Sequence, residues 1–548
     1  VWAEPGLLAN PTTPGTAGEG QAKAFARGLA GRLGLPQKNI RAGYEDGFYY
    51  LWKEGTLPTN VDVLDNRLAN ALERKRVRRL FERGLDQVVG FALPLAWDPV
   101  AERWISSDWQ FRREHMFLIP GDSPMGLRLP LDSLLWEKEE ERQQEHPADP
   151  FADQEHLLGN VSNRYSWFEE AAPEWHGLQE QDMADSETRR DSFFVRSAIC
   201  FEPRDGNLHV FLPPISRVAH WLELVQAIES TASANGQAIV LEGYPAPYDP
   251  QLLRFSITPD PGVIEVNIHP AESWEQLVEN TEALYEEARQ SRLGTEKFMA
   301  DGRHTGTGGG NHVTLGGPTP ADSPMLRNPQ VLASLLRYWQ NHPALSYLFS
   351  GMFIGPTSQA PRVDEGRDSS LYELEIALQQ VPPGEAPSPW LVDRILRNLL
   401  VDVTGNTHRA EFCIDKLYSP DSPTGRLGLV EFRGFEMPPH ARMSLVQTLL
   451  LRALVARFWE QPYEQPLVRW GTELHDRFML PHYVERDVHD VLRDLQRWGY
   501  DFQEDWLDPF VEFRFPRYGT MNVGDIELEL RFAIEPWNVL GEEVTGQG

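Results

Sequence analysis

Cysteine is nearly absent: the 548 residues hold two, Cys200 and Cys413, and no Cys-x-x-Cys pair. A disulfide framework and a Cys-x-x-Cys zinc site are excluded on that count. Basic charge is also short, with 51 Lys and Arg against 81 Asp and Glu, a net of −30. Polyanions such as nucleic acid or an anionic membrane surface are therefore poor bulk partners. A nucleotide is not excluded, because a metal ion and a few arginines handle its charge locally. No apolar run approaches the roughly 18 residues of a membrane span, and the opening VWAEPGLLAN does not read as a secretion signal. The start at Val1, without Met, reads as a mature product or a piece excised from a longer chain. Together these absences give the expectation of a reduced, cytoplasmic protein with no membrane and no nucleic-acid partner.

What is present suffices for a large core, with 41% hydrophobic residues including 17 Trp and 26 Phe. Length alone admits roughly two to four domains, or one large unit with insertions. Residues 1–131 read as mixed α and β, with helical spacing over Ala22–Leu33 and Leu64–Arg83. The run MFLIPGDSPMGLRLPL, with its PGDSP turn chemistry, reads as a hairpin. Residues 132–191 are charged, polar and poor in β-branched side chains, which predicts an acidic, partly disordered insert.

Residues 192–548 tighten again. Phe194–Glu202 and Leu208–Leu212 flank PRDGN as a hairpin, and a helix over Ser216–Asn235 stops at Gly236. LLRFSI and VIEVNI read as strands joined by TPDPG. Ser273 with Gln276 has capping-box spacing for a long helix. Further helices are expected at Asn328–Asn341, Trp390–Leu400 and Ala441–Glu460, and strands at LYELEIAL, RLGLVEFRGF, VEFRFP and DIELELRFAI. The mixture, with hairpin-style turns, predicts an α+β fold with a large, mainly antiparallel sheet and packed helices.

The chemistry-bearing stretch is HTGTGGGNHVTLGG at 304–317. A dinucleotide fingerprint needs glycine where Asn311 stands, and a P-loop needs a lysine that is missing. What remains is Gly308, Gly309 and Gly310 leading into a predicted strand, Asn311–Leu315, on which His312 and Thr314 share a face. His304 has no such geometry and reads as solvent-exposed. The same alternation puts Glu265, Asn267 and His269 on one face of PGVIEVNIHP, and Glu431 and Arg433 on one face of RLGLVEFRGF. Carboxylates and a histidine on neighbouring strands suit Mg²⁺ or Mn²⁺. An arginine two residues from a carboxylate suits a bidentate clamp on a carboxylate or phosphate.

These strings resemble the motifs of glutamine synthetases, in which a glycine-rich strand supplies a metal-binding histidine and a later E-x-R strand a glutamate and an arginine. GTGGGNH at 306–312 and VEFR at 430–433 occur here in that order, and PGVIEVN resembles the strand that presents a metal-binding glutamate. GPTSQAPRVDEGRD at 355–368 is similar to the substrate-loop segment. The longer strings FIGPTSQAPRVDEGRDSSLYELEIAL, ICFEPRDGNLHVFLPP and YYLWKEGTLPTNVD resemble the bacterial putative amidoligases, glutamine-synthetase-like carboxylate–amine ligases, along essentially the whole chain. The resemblance implies a glutamine-synthetase-like catalytic core and ATP with Mg²⁺ or Mn²⁺ as cofactors. It also implies amide formation through an acyl phosphate, from a small-molecule or peptide carboxylate and an amine. It assigns metal binding to Glu265, His312, Glu431 and Glu202, and carboxylate binding to Arg433. Arg362 or Arg367 would serve the phosphate, and Gly308–Gly310 with Asn311 its close approach. His269 or Glu373 would act as base. A transglutaminase-like peptidase is the implied associate. The pattern departs from the synthetases at Glu202, which stands alone where they have E-x-E, and at Ile257, where Asp260 is the nearest carboxylate. The same face could also serve a guanidino phosphotransferase, a metal-dependent amide hydrolase or a non-catalytic binding module. A second VEFR at 511–514, and Glu527, Glu529 and Arg531, rival 431/433 as the functional strand.

Overall fold

A computed structural model describes residues 2–55, 87–99, 101–112, 114–135, 194–247, 249, 251–260, 262–298, 304–305, 309–351, 353–356, 358–366, 369–384, 388–422 and 425–536. The expected helix over Leu64–Arg83 and nearly all of the acidic stretch lie outside those residues. The chain divides into two compact units, one up to residue 249 and the other from residue 250. The sequence places divisions at 131/132 and 191/192.

The first unit is built on eight strands: β1 (Arg41–Glu45), β2 (Val88–Pro94), β3 (Ala96–Asp98), β4 (Arg103–Ile105), β5 (Met116–Leu118), β6 (Ala198–Arg204), β7 (Asn207–Leu212) and β8 (Ile239–Gly243). Six of them form one sheet in the order β5-β1-β2-β6-β7-β8. Its three inner pairings are antiparallel and its two outer ones parallel, as the mainly antiparallel α+β expectation requires. The β6–β7 hairpin turns through Asp205 and Gly206, whose φ values of 51° and 77° belong to the two-residue turn that matches strand twist. Helix α1 (Glu19–Arg32) buries Ala22, Phe25, Ala26, Leu29 and Ala30, a single stripe at helical spacing. Helix α2 (Val218–Asn235) ends at Gly236 with φ 58°, the left-handed close its sequence predicts. Both helices cover Phe91, Ile199, Phe201, Leu208 and Val210 on one sheet face. The MFLIPGDSPMGLRLPL hairpin is not formed. β5 pairs parallel with β1, and short turns at Met125–Leu127 and Leu131–Ser133 follow it, where Pro124 and Pro130 lack the N–H that a returning strand needs.

In the second unit, β9 (Ser256–Asp260) and β10 (Val263–Asn267) form a hairpin with Ile257 and Ile264 exposed. Helix α3 (Trp274–Gln290) follows, and β11 (Lys297–Phe298) pairs with β12 (His304–Thr305). β13 (Val313–Leu315), β14 (Phe353–Ile354), β15 (Phe412–Cys413) and β16 (Val430–Phe432) come next, and β13, β16 and β15 make a three-stranded antiparallel sheet with β16 in the middle. Helix α4 (Gln330–Asn341) is buried on nearly every side, and α5 (Ser370–Gln379), α6 (Leu391–Leu396) and α7 (Ala441–Glu460) pack with it in one large core. Two expected strands are helices. LYELEIAL lies in α5, where Leu371, Leu374, Ala377 and Leu378 face the core; alternation and helical spacing both fit so short a run, and Leu, Glu and Ala favour the helix. VEFRFP falls at α8 (Asp508–Arg514), where Phe510 and Arg514 are buried. DIELELRFAI does form a strand, β18 (Ile526–Arg531), paired with β17 (Arg517–Val523).

Candidate functional site

The three-stranded sheet sorts its side chains by row. Val313, Phe432 and Phe412 stand opposite one another and are buried, with Trp339 5.4 Å from Phe412 between ring centroids. The next row is Thr314, Glu431 and Cys413, and alternation turns it to the other face. Glu431 is 5% exposed, a costly place for a carboxylate unless it is paired. It is paired three ways: Arg433 Nη1 donates to Oε1 at 2.5 Å, Lys416 Nζ donates to Oε2 at 3.0 Å, and His312 Nδ1 faces Oε1 at 3.4 Å. Burial alone would raise the Glu431 pKa, but His312, Lys416 and Arg433 outweigh it and hold the carboxyl far below the usual range. Glu431 is therefore an ionised group with cations on both oxygens.

His312 precedes β13, and its Nε2 is buried with no hydrogen-bond partner. With the Nδ1 proton toward Glu431, Nε2 carries the lone pair, the arrangement by which a carboxylate orients a ligand histidine. Glycine is required at 310 for that placement, since a Cβ there would lie 2.3 Å from His312 Nε2. Asn311 is an anchor: its N–H donates to the Phe435 carbonyl, its side-chain amide donates to Gln447 at 2.7 Å, and it accepts from Ser444 at 3.2 Å. Lys416, one of seven lysines in the chain, was invisible to motif reading, because it sits in the loop after β15 and reaches Glu431 only through the sheet.

Glu265, His269, Glu373 and Arg362 take no part in that set of contacts. Glu265 is exposed on the separate β9–β10 hairpin, accepting from Asn267 at 2.9 Å. His269 packs edge-on to Phe255, and Glu373 lies on helix α5. Gly309 adjoins Gly310, while Gly308 and Arg367 are outside the described residues. Arg362 is 2% exposed, and its guanidinium donates to Asp364, Ser346 and the carbonyls of Trp339 and Gln340. Those contacts make it a core strut and not an open phosphate clamp. Arg514 of the second VEFR points inward to Glu436 at 2.8 Å. Glu202 belongs to the first unit, where Arg204 bridges it at 3.0 Å to Glu242 at 2.5 Å. Burial pushes Glu202 upward, against Arg204 and the Met125 N–H. Glu242, which motif reading missed, is opposed by burial but brought below its ordinary value by His209 and Arg204.

One family model spans residues 1–548, and its description is "Putative amidoligase enzyme (DUF2126)". The chain belongs to this family. The activity class is accordingly that of an amide-forming ligase. No curated protein and no solved structure matches the chain. No helix among the described residues is long and apolar enough to cross a membrane.

In this amidoligase-family chain, the donors gathered at β16 are one imidazole nitrogen and one carboxylate. With Nδ1 turned to Glu431 and a cation on each of its oxygens, only Nε2 is left for a metal ion, which falls short of the several oxygen ligands that Mg²⁺ or Mn²⁺ takes. The unpartnered Nε2 is the part of the arrangement that calls for a ligand. Lys416 and Arg433 fit an anion better than they fit a second metal, since each keeps N–H groups without a partner among the described residues.

Proposed function

We propose that the chain is an ATP- and Mg²⁺-dependent carboxylate–amine ligase that makes an amide through an acyl phosphate. The observation that carries the reading is the family match over the whole chain. What supports a site at Glu431 is the meeting of a buried, ionised carboxylate, an unpartnered imidazole nitrogen and two cationic side chains on one sheet face. Bound Mg²⁺–ATP would supply the phosphoryl group that activates the substrate carboxylate, and attack by the amine then forms the amide and releases phosphate. Arg433 presents a planar fork to the substrate carboxylate. Lys416, on the exposed rim, brings positive charge to the phosphoryl oxygens. Glu431 keeps both cations in place and holds the His312 tautomer, leaving Nε2 for the metal.

The test is ADP release from Mg²⁺–ATP across a panel of carboxylates and amines, comparing wild type with Glu431→Ala and Lys416→Met. Lys416 is exposed, so its variant tests the site without threatening the core. ADP release that neither substitution alters would remove the site from Glu431. A second reading, a non-catalytic binding module, is favoured by one observation: among the described residues, one carboxylate, Glu431, is paired with His312, Lys416 and Arg433. It predicts binding of the carboxylate with no ADP formed under any pairing.

A further inference from the structure

Cys413 stands directly opposite Glu431 in the sheet and is buried. Two other ligand-type groups converge on it. His408 sits in the short turn Thr407–Arg409, which Asn406 caps by accepting the His408 N–H at 2.9 Å. Asp415 follows the strand by two residues. One ligand atom from each of His408, Cys413 and Asp415 falls within 4.8 Å of the others, and His408 Nε2 is 3.4 Å from Asp415 Oδ2. Supporting contacts point the same way. Thr407 Oγ1 donates to Asp415 Oδ2 at 2.7 Å, and the Asp415 backbone N–H bonds to the Cys413 sulfur. Bonds of this kind orient the ligands of metal sites. An imidazole, a thiolate and a carboxylate form a borderline-soft set, suited to Zn²⁺ and poorly suited to Mg²⁺.

We propose that His408, Cys413 and Asp415 bind a divalent transition-metal ion of the Zn²⁺ kind, with the fourth position open to solvent. The opening is on the His408 side, where the side chain is 63% exposed. Binding takes Cys413 as the thiolate and releases its proton to solvent. Motif reading passed over the site because its ligands come from a turn, a strand end and a loop, with no Cys-x-x-Cys spacing. The inference stands apart from the ligase reading, since it uses none of the groups assigned to ATP or carboxylate.

The experiment is a Co²⁺ titration of the full, chelator-treated chain followed by absorption. The expected result is one equivalent bound, with a thiolate-to-cobalt charge-transfer band that Zn²⁺ abolishes. Cys413→Ser should remove the band and Cys200→Ser should keep it. His408→Ala, at an exposed position that leaves the core intact, should weaken binding by about tenfold or more. The proposal is overturned by a wild type that shows no charge-transfer band, by a band that survives Cys413→Ser, or by His408→Ala binding Co²⁺ as tightly as wild type.

Discussion

Glu411 is 8% exposed, beside a small cavity lined by Leu336, Trp339, Pro361, Leu374 and Phe412. Trp339 Nε1 donates to its Oε1 at 3.3 Å, and its backbone carbonyl accepts the Arg433 N–H at 2.8 Å, so it lies under the candidate strand. Burial raises its carboxyl from 4.5 to about 7, in spite of Arg362 and Ser346, which favour ionisation. A raised carboxyl pKa means that the folded state holds the proton more tightly than the unfolded chain. The associated stability is complete below pH 4.5 and is lost as the pH rises through about 7. At about 1.4 kcal/mol per pH unit the loss reaches about 3 kcal/mol. Glu411→Gln cannot ionise and should escape it. Any constant cost of the amide appears at every pH, so the informative quantity is the change in the stability difference with pH. In urea unfolding, Glu411→Gln should gain about 3 kcal/mol on wild type between pH 4 and pH 8. A difference that stays flat over that interval would refute the buried-carboxyl argument.

Glu431→Gln should show the opposite trend. The depressed wild-type carboxyl contributes stability above the ordinary glutamate range and loses it as the pH falls. Unfolding should therefore find the variant weaker by about 2 kcal/mol at pH 7, discounted because Lys416 is half exposed, and nearly equal to wild type in acid. Gly310→Ala would press a methyl group onto His312. It should cost about 1–3 kcal/mol and depress ADP release as His312→Ala should, whereas Gly351→Ala, with nothing within 4 Å of its Cβ, should leave activity intact. Full activity in Gly310→Ala would separate the imidazole from function.

What was legible in the sequence was local. Asp205-Gly206 between alternating apolar runs is a turn with one good solution, and Gly236 closes α2 where its pattern ends. Ser273 accepts the Gln276 N–H at 3.1 Å, although the Gln276 side chain returns to the Glu272 N–H at 2.8 Å and not to Ser273 itself. What was illegible came from assembly. Lys416, Glu411 and Glu242 carry no motif, and each acquires its partners only when separated segments pack together. The charged row on β16 is a tertiary product of β13, β15 and the loop after β15.

The repeated tetrapeptide shows why a motif string alone cannot place a site. VEFR occurs twice with the same letters. At 430–433 it forms the centre of a sheet, where alternation separates Glu431 and Arg433 from Phe432 and holds the pair together at 2.5 Å. At 511–514 it ends helix α8, which Pro509 starts by fixing φ where no N–H partner is needed. There the two charged side chains part, Arg514 going inward to Glu436 and Glu512 outward to Arg531. The difference lies in the preceding residues: RLGL runs into a pairing edge offered by β13 and β15, whereas LDPF begins a helix. An E-x-R carries clamp chemistry only where a sheet brings its glutamate and arginine to one face, and of the two copies only 430–433 meets that condition.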